Sequence, residues 1–344
     1  MSFNVNLSIK KLIEYFSFIA LIFFSCSEKN KRILVQNTGE AQGTFYHIQY
    51  LSENGESYKN QIDSLLDEVD SSVSIYKPYS IISKLNKGEK VQTDDIFNSV
   101  YLDAVHVYVN SKGYFDCTVS PLVSYWGFYK NWGQENIDID SLKIQDILKN
   151  IGTNKTNILN GSVYLKPDVQ IDFNAIAQGY SVDLIADLLE DKGVQNYLIE
   201  VGGEIKARGV NTDDKLWRVG IDKPLEEIDI EDRFQFILEL ENKSLATSGN
   251  YRKFYEKDGV KYSHTINPIT GFPVQNRLLS VTVITNKCSL ADAYATAFMA
   301  MGVEQTKKLV KSVGDQLDVY LVYTDKDGSW KTFISPGIQE KIIN

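Results

Sequence analysis

The stretch Asp172-Phe173-Asn174-Ala175-Ile176-Ala177-Gln178-Gly179-Tyr180 runs from the end of an apolar segment into the start of an amphipathic one. Residues 169–173 predict a strand, and residues 176–192 a helix stopped by Gly193. Ala175 and Ala177 are small, so a ligand or ion can approach the backbone here; a tight strand-to-helix packing turn explains them equally well. Toward the N-terminus, residues 44–50 read as a strand, and Ile62, Leu65, Leu66, Val69 and Val73 recur at helical spacing. Residues 74–80 break that helix, with Pro78 enforcing a turn, residues 94–112 form another, and residues 115–118 read as short and extended. Trp126 and Trp132 read as core or pocket wall, and residues 135–160 as a polar surface excursion. Toward the C-terminus, strands are expected at 197–201, 204–208, 217–221, 234–240 and 279–284, then a helix at 290–301. Residues 319–323 and 330–333 close the chain as a hairpin around Asp325-Lys326-Asp327-Gly328. This irregular interleaving predicts an α+β fold of mixed sheets with packed helices rather than a doubly wound one.

The chain has 344 residues, 43% of them hydrophobic, an ordinary globular composition with material for a large core. A net charge of -9 argues against a nucleic-acid partner, which calls for a basic footprint. It leaves phosphate-containing ligands open, because a bound divalent cation changes the local charge. Residues 1–25 read as a lipoprotein signal peptide: Lys10 and Lys11, an apolar run from Tyr15 to Phe24, then Ser25-Cys26. Cys26 is the expected lipidated residue, although Phe23 stands where Leu is commonest and Glu14 interrupts the front of the run. A plain N-terminal membrane anchor is the alternative, and either way the body is exported. Residues 26–41 read as a tether and 42–344 as the catalytic body. The other cysteines, Cys117 and Cys288, lack metal-like spacing and are expected as buried free thiols.

Three stretches carry the chemistry. In Asp292-Ala293-Tyr294-Ala295-Thr296 a carboxylate and a hydroxyl stand one helical turn apart, on one face. Two hard oxygen donors there suit a magnesium-type cation that keeps sites for phosphate oxygens. The plainer reading has Asp292 in a first helical turn, meeting the dipole, with Thr296 an incidental small residue. In Ser263-His264-Thr265-Ile266-Asn267-Pro268, one of three histidines sits in a Gly/Pro-bounded loop, as a candidate base or as a structural residue. The third stretch is the Asp172–Tyr180 segment. Gly202-Gly203 and Thr247-Ser248-Gly249 are either phosphate cradles or simple turns. Cation, base and glycine-rich backbone together point to chemistry on a phosphate ester.

These pieces occur in this order in one family. The chain resembles the ApbE-type flavin transferases, FAD:protein FMN transferases, from about Gln42 to its end. The resemblance rests on Gly43-Thr44-Phe45-Tyr46, Ser74-Ile75-Tyr76 through Ser80 and Asn86, Phe115-Asp116-Cys117-Thr118, residues 172–183, Val201-Gly202-Gly203-Glu204-Ile205, residues 246–251, residues 263–273 and residues 292–296. It implies Mg2+ held by the side chains of Asp292 and Thr296 and the backbone carbonyl of Ala175. It implies FAD contacts at Gln42, Tyr76, Lys77, Pro78, Asp116, Gln178 and Ile266, and His264 as the base. It implies transfer of the FMN half of FAD to a threonine hydroxyl of an acceptor protein, such as a subunit of a membrane redox complex, with release of AMP. The expected location is the periplasmic side of a bacterial inner membrane, through a lipid anchor. An FAD pyrophosphatase giving FMN and AMP, or an FAD-storing lipoprotein, are the competing readings. Gln42 replaces the usual Met before Gly-Thr, Asn174 replaces a common Gly, and Gln178 stands where many members have Lys or Glu.

Overall fold

The computed structural model describes residues 32–129, 139–225, 233–250, 254–257 and 260–343. The signal stretch, Cys26 and Trp132 lie outside the described residues. In chain order the strands are β1 (Ile33–Ala41), β2 (Thr44–Ser52), β3 (Thr156–Leu159), β4 (Ser162–Leu165), β5 (Tyr197–Val201), β6 (Glu204–Arg208), β7 (Trp217–Asp222), β8 (Phe234–Leu240), β9 (Lys243–Gly249), β10 (Phe254–Lys257), β11 (Val260–Ser263), β12 (Leu278–Thr285), β13 (Asp318–Thr324), β14 (Trp330–Ile334) and β15 (Ile342–Ile343). The helices are α1 (Lys59–Val73), α2 (Ile81–Asn86), α3 (Asp95–Asn110), α4 (Ser120–Tyr125), α5 (Ser141–Leu148), α6 (Ala177–Asp191), α7 (Cys288–Met301), α8 (Val303–Val313) and α9 (Pro336–Gln339).

An 8-stranded sheet in the order β1-β2-β5-β6-β9-β12-β13-β14 is the frame. Its paired strands are all antiparallel, which sharpens the mixed-sheet expectation. Tyr46, Ile48 and Tyr50 alternate along β2 onto the buried face and pack with Ile62 and Leu66 of α1 and Ile185 and Leu189 of α6. On the same side, Phe97 of α3 and Phe298 of α7 meet Val281 and Val283 of β12. A 3-stranded sheet, β15-β8-β7, joins the core with Ile284 of β12 and Tyr320 of β13 through Trp217, Leu238 and Leu240. Strand β12 therefore reads as a near-continuous buried run, as a strand covered on both faces should.

Helix α7 is buried almost all round, which its alanines permit. That burial fixes the environment of Asp292.

Several expectations are corrected. Residues 33–41 are not tether: they pair with β2 along its whole length, from Ile33↔Ser52 to Ala41↔Thr44. The polar, mostly exposed character of this edge strand hid it. Residues 169–173 form no ladder. Asn86 substitutes for a strand neighbour, its amide bonding Ile171 N–H and C=O at 2.7 Å each. Residues 115–118 turn rather than extend, because their backbone and hydroxyls fold around the Asp116 carboxylate. The 135–160 excursion contains α5, whose Ile144 is core. Cys117 and Cys288 are free and buried, as expected.

Candidate active site

A cavity of about 1230 Å³ opens along the inner face of α1, from Lys59 to Val73. At 1.5 Å rise per residue that wall is roughly 20 Å long, enough for a dinucleotide. The entry to α6, the second turn of α7, the end of β9 and the loop after β11 line it as well.

The α6–α7 contact is built by reciprocal capping. Asp183 of α6 accepts from the first amides of α7, Cys288 N–H at 3.0 Å and Ser289 N–H at 2.9 Å. Lys206 Nζ, at 2.8 Å, balances its charge. In return Asp292 Oδ2 accepts from Gly179 N–H, a first-turn amide of α6, at 3.2 Å. These amides are among the donors that a helix N-terminus leaves without intrahelical partners. Gly179 is required by the close approach: a Cβ there would overlap the Cys288 carbonyl and lie 2.9 Å from Asp292 Cβ.

Asp292 lies in the second turn of α7, not the first, so the plain dipole explanation does not apply. Burial pushes its carboxyl up to about 7, and the Gly179 amide offsets only part of that. Thr296 lines the same cavity one turn along, and Ala175 lines it from the approach to α6. Among the described residues no group of three or more His, Cys, Asp or Glu side chains is placed for a metal. A cation here would therefore rely on one carboxylate, a hydroxyl and backbone oxygens. A buried carboxylate whose ionisation is penalised, with hard oxygen donors beside it, fits a hard cation that neutralises it.

His264 and Ile266 reach the cavity from a rigid loop. Asn267 N–H donates to Phe272 O at 2.9 Å, Val274 N–H to Thr265 O at 2.9 Å, and Asn267 Oδ1 accepts from Ile269 N–H at 2.9 Å. The buried Trp126 indole donates to Gly271 O at 2.8 Å, pinning the loop to the core. At the loop's start Ser263 and Thr265 hydroxyls both donate to Asn250 Oδ1, at 2.5 and 3.0 Å.

The remaining expected contacts divide. Gln42, Tyr76, Lys77 and Gln178 line the cavity. Gln178 packs over Gly202, where a Cβ would stand 2.8 Å from its amide nitrogen. Thr247, Ser248 and Gly249 also line it, as the end of β9 rather than a turn. Pro78 does not line it; it is exposed in the turn in which Ser80 N–H donates to Lys77 O. Asp116 reaches the wall with its carboxylate already engaged by its own loop. It accepts from Thr118 N–H (2.8 Å), Thr118 Oγ1 (2.6 Å), Thr153 Oγ1 (2.9 Å) and Thr153 N–H (3.2 Å).

Sequence reasoning gave no role to Tyr129, Asp172, Asn174 or Asp183. The first three line the cavity, and the Tyr129 hydroxyl donates to Asp172. Burial raises the Asp172 carboxyl, and the Tyr129 and Asn174 bonds counter it. Asp172 opens the deciding stretch, so a signal existed. Tyr129 and Asp183 act across 43 and 105 residues, which no local pattern reveals.

The ApbE family model matches residues 42–321. FAD:protein FMN transferase of Vibrio cholerae is 33% identical over 333 residues, covering 92% of this chain and 96% of that relative. The Escherichia coli K12 protein of the same name is 31% identical over 343 residues, covering 94% and 95%. The solved flavin transferase ApbE of Vibrio cholerae superposes with a TM-score of 0.80 at 33% identity, over 90% of this chain and 99% of that one. The apo flavinyl transferase ApbE of Pseudomonas stutzeri gives 0.80 at 30% identity, over 90% and 97%. These likenesses establish that the chain belongs to the ApbE family.

Proposed function

We propose that this chain is an FAD:protein FMN transferase that moves the FMN half of FAD onto a threonine hydroxyl of an acceptor protein. The observation that carries the reading is that one cavity gathers Gln42, Tyr76, Ala175, His264, Asp292 and Thr296, residues spread over most of the chain. Its length suits an extended dinucleotide, and membership of the family gives the reaction class.

In the reaction the threonine oxygen attacks the FMN-side phosphorus. A P–O bond forms to threonine, the bond from that phosphorus to the bridging oxygen breaks, and AMP leaves. His264 takes the hydroxyl proton, from a loop held rigid by Trp126 and Asn267. Asp292, Thr296 and the Ala175 carbonyl would hold Mg2+, which supplies charge neutralisation and orientation of the pyrophosphate. The N-terminal end of the α6 dipole adds a partial positive charge on the same side. Gln178, being neutral, adds none. Tyr76 and Lys77 hold the dinucleotide, and Gln42 and Ile266 border it in the same cavity. The fold's work is mostly positioning and electrostatics, as in other phosphoryl transfers.

The N-terminal basic, apolar and small-residue order supports lipidation at Cys26, with the enzyme on the periplasmic side of an inner membrane near redox subunits. The test is product analysis after incubation with FAD, Mg2+ and a threonine-bearing acceptor. AMP should appear in equal amount to acceptor-bound FMN, with little free FMN. Free FMN matching the AMP, with unmodified acceptor, would make the protein a pyrophosphatase instead.

A further inference from the structure

Tyr76 is 66% exposed on the cavity rim, a position where an aromatic side chain would ordinarily sample several rotamers. Here it is tied down. Asn174 Nδ2 donates to its hydroxyl at 3.3 Å, bridging 98 residues from the entry of α6 to the turn after α1. Asn174 is itself held on a fixed base. Its backbone N–H donates to Asp172 Oδ1 at 2.7 Å, and its second amide proton goes to Asp172 Oδ2 at 3.3 Å. Asp172 is anchored by the Tyr129 hydroxyl and by its own N–H on Cys117 O at 2.7 Å. On the other side the Tyr76 backbone sits in a braced turn, with Ser80 Oγ on Ser74 O at 2.8 Å and Lys77 paired to Asp70 at 3.5 Å.

We infer that Asn174 is a positioning residue: it latches Tyr76 across the cavity mouth and so pre-sets the aromatic face that receives a planar ring of the dinucleotide. The inference rests on the FAD reading above and goes beyond it. Proton accounting supports it. Both Asn174 amide protons are used, one on Asp172 and one on Tyr76, so the Tyr76 oxygen accepts and keeps its own proton for a ligand or solvent. Burial and the Asp172 charge keep that phenol protonated. A glycine at this position would offer no such latch. Fixing a ring before binding removes an ordering cost that would otherwise be taken from affinity.

The experiment is a double-mutant cycle on FAD affinity, read by flavin fluorescence, with Asn174→Ala, Tyr76→Phe and the pair. Each single change should weaken FAD about three- to tenfold, the range of one hydrogen bond. The double variant should be no worse than the weaker single one. For Asn174→Ala the KM for FAD should rise while kcat at saturation stays within about twofold, and the thermal midpoint and Mg2+ affinity should not move. Additive losses would overturn the latch, as would unchanged FAD affinity in Asn174→Ala, or a fall in stability and Mg2+ affinity together. If the wild-type protein bound no FAD, the flavin reading itself would fall. If it bound FAD and Asn174→Ala bound it equally, only the latch would fall.

Discussion

Asp292→Asn in cation-free protein should separate a metal ligand from a structural cap. The asparagine oxygen can still accept from Gly179 N–H, so the capping bond survives while the charge goes. Burial lifts the Asp292 carboxyl from 3.8 to about 7, which at about 1.4 kcal/mol per pH unit makes its ionisation inside the fold cost on the order of 4 kcal/mol. The folded carboxyl binds its proton more tightly than the unfolded one. The sign is therefore opposite to that of an ion-paired acid: stability is retained below about 3.8 and lost as pH rises through about 7. Between about pH 5 and pH 8 in EDTA, the wild-type protein should lose stability relative to Asp292→Asn, by several degrees in thermal midpoint. Saturating Mg2+ should restore the wild-type protein and leave the variant unmoved. The assay is thermal unfolding of both proteins across that range, with and without Mg2+. Parallel pH profiles in EDTA, or equal stabilisation of both proteins by Mg2+, would refute the argument that burial primes this carboxylate for a cation.

Three further outcomes are expected. Gly179→Ala forces α6 and α7 apart, so it should cost about 1–3 kcal/mol and weaken Mg2+ binding together, as denaturant unfolding and cation titration would report. His264→Ala should keep FAD affinity but slow single-turnover transfer by about 10²–10⁴; weakened binding with near-normal single-turnover transfer would make the histidine structural. Cys26→Ser should abolish incorporation of a labelled fatty acid, and equal label on both proteins would place the anchor elsewhere.

Much of the frame was legible because it repeats. The alternation of Tyr46, Ile48 and Tyr50 and the helical spacing of Ile62, Leu66, Val69 and Val73 declare which faces are buried. The site residues were legible as types, since Asp292 and Thr296 share a helix face whatever surrounds them. What escaped was set by long-range partners. Residues 169–173 need no ladder because Asn86, 85 residues away, bonds Ile171 as a neighbouring strand would. Asp116 lines the cavity, but its bonds to Thr118 and Thr153 depend on a partner no local pattern reveals. Helix α8 was missed because Gly302, read as a stop, both ends α7 and caps the next helix. Strand β1 was missed because an exposed edge strand carries little apolar alternation.

Intact-mass measurement of an acceptor protein, incubated with this protein, FAD and Mg2+, tests the central claim most directly. The account predicts a gain of one FMN phosphodiester on a single threonine, absent when that threonine is replaced by alanine and absent with Asp292→Ala enzyme. An acceptor whose mass stays unchanged while FAD is consumed, or one modified equally by Asp292→Ala enzyme, would contradict it.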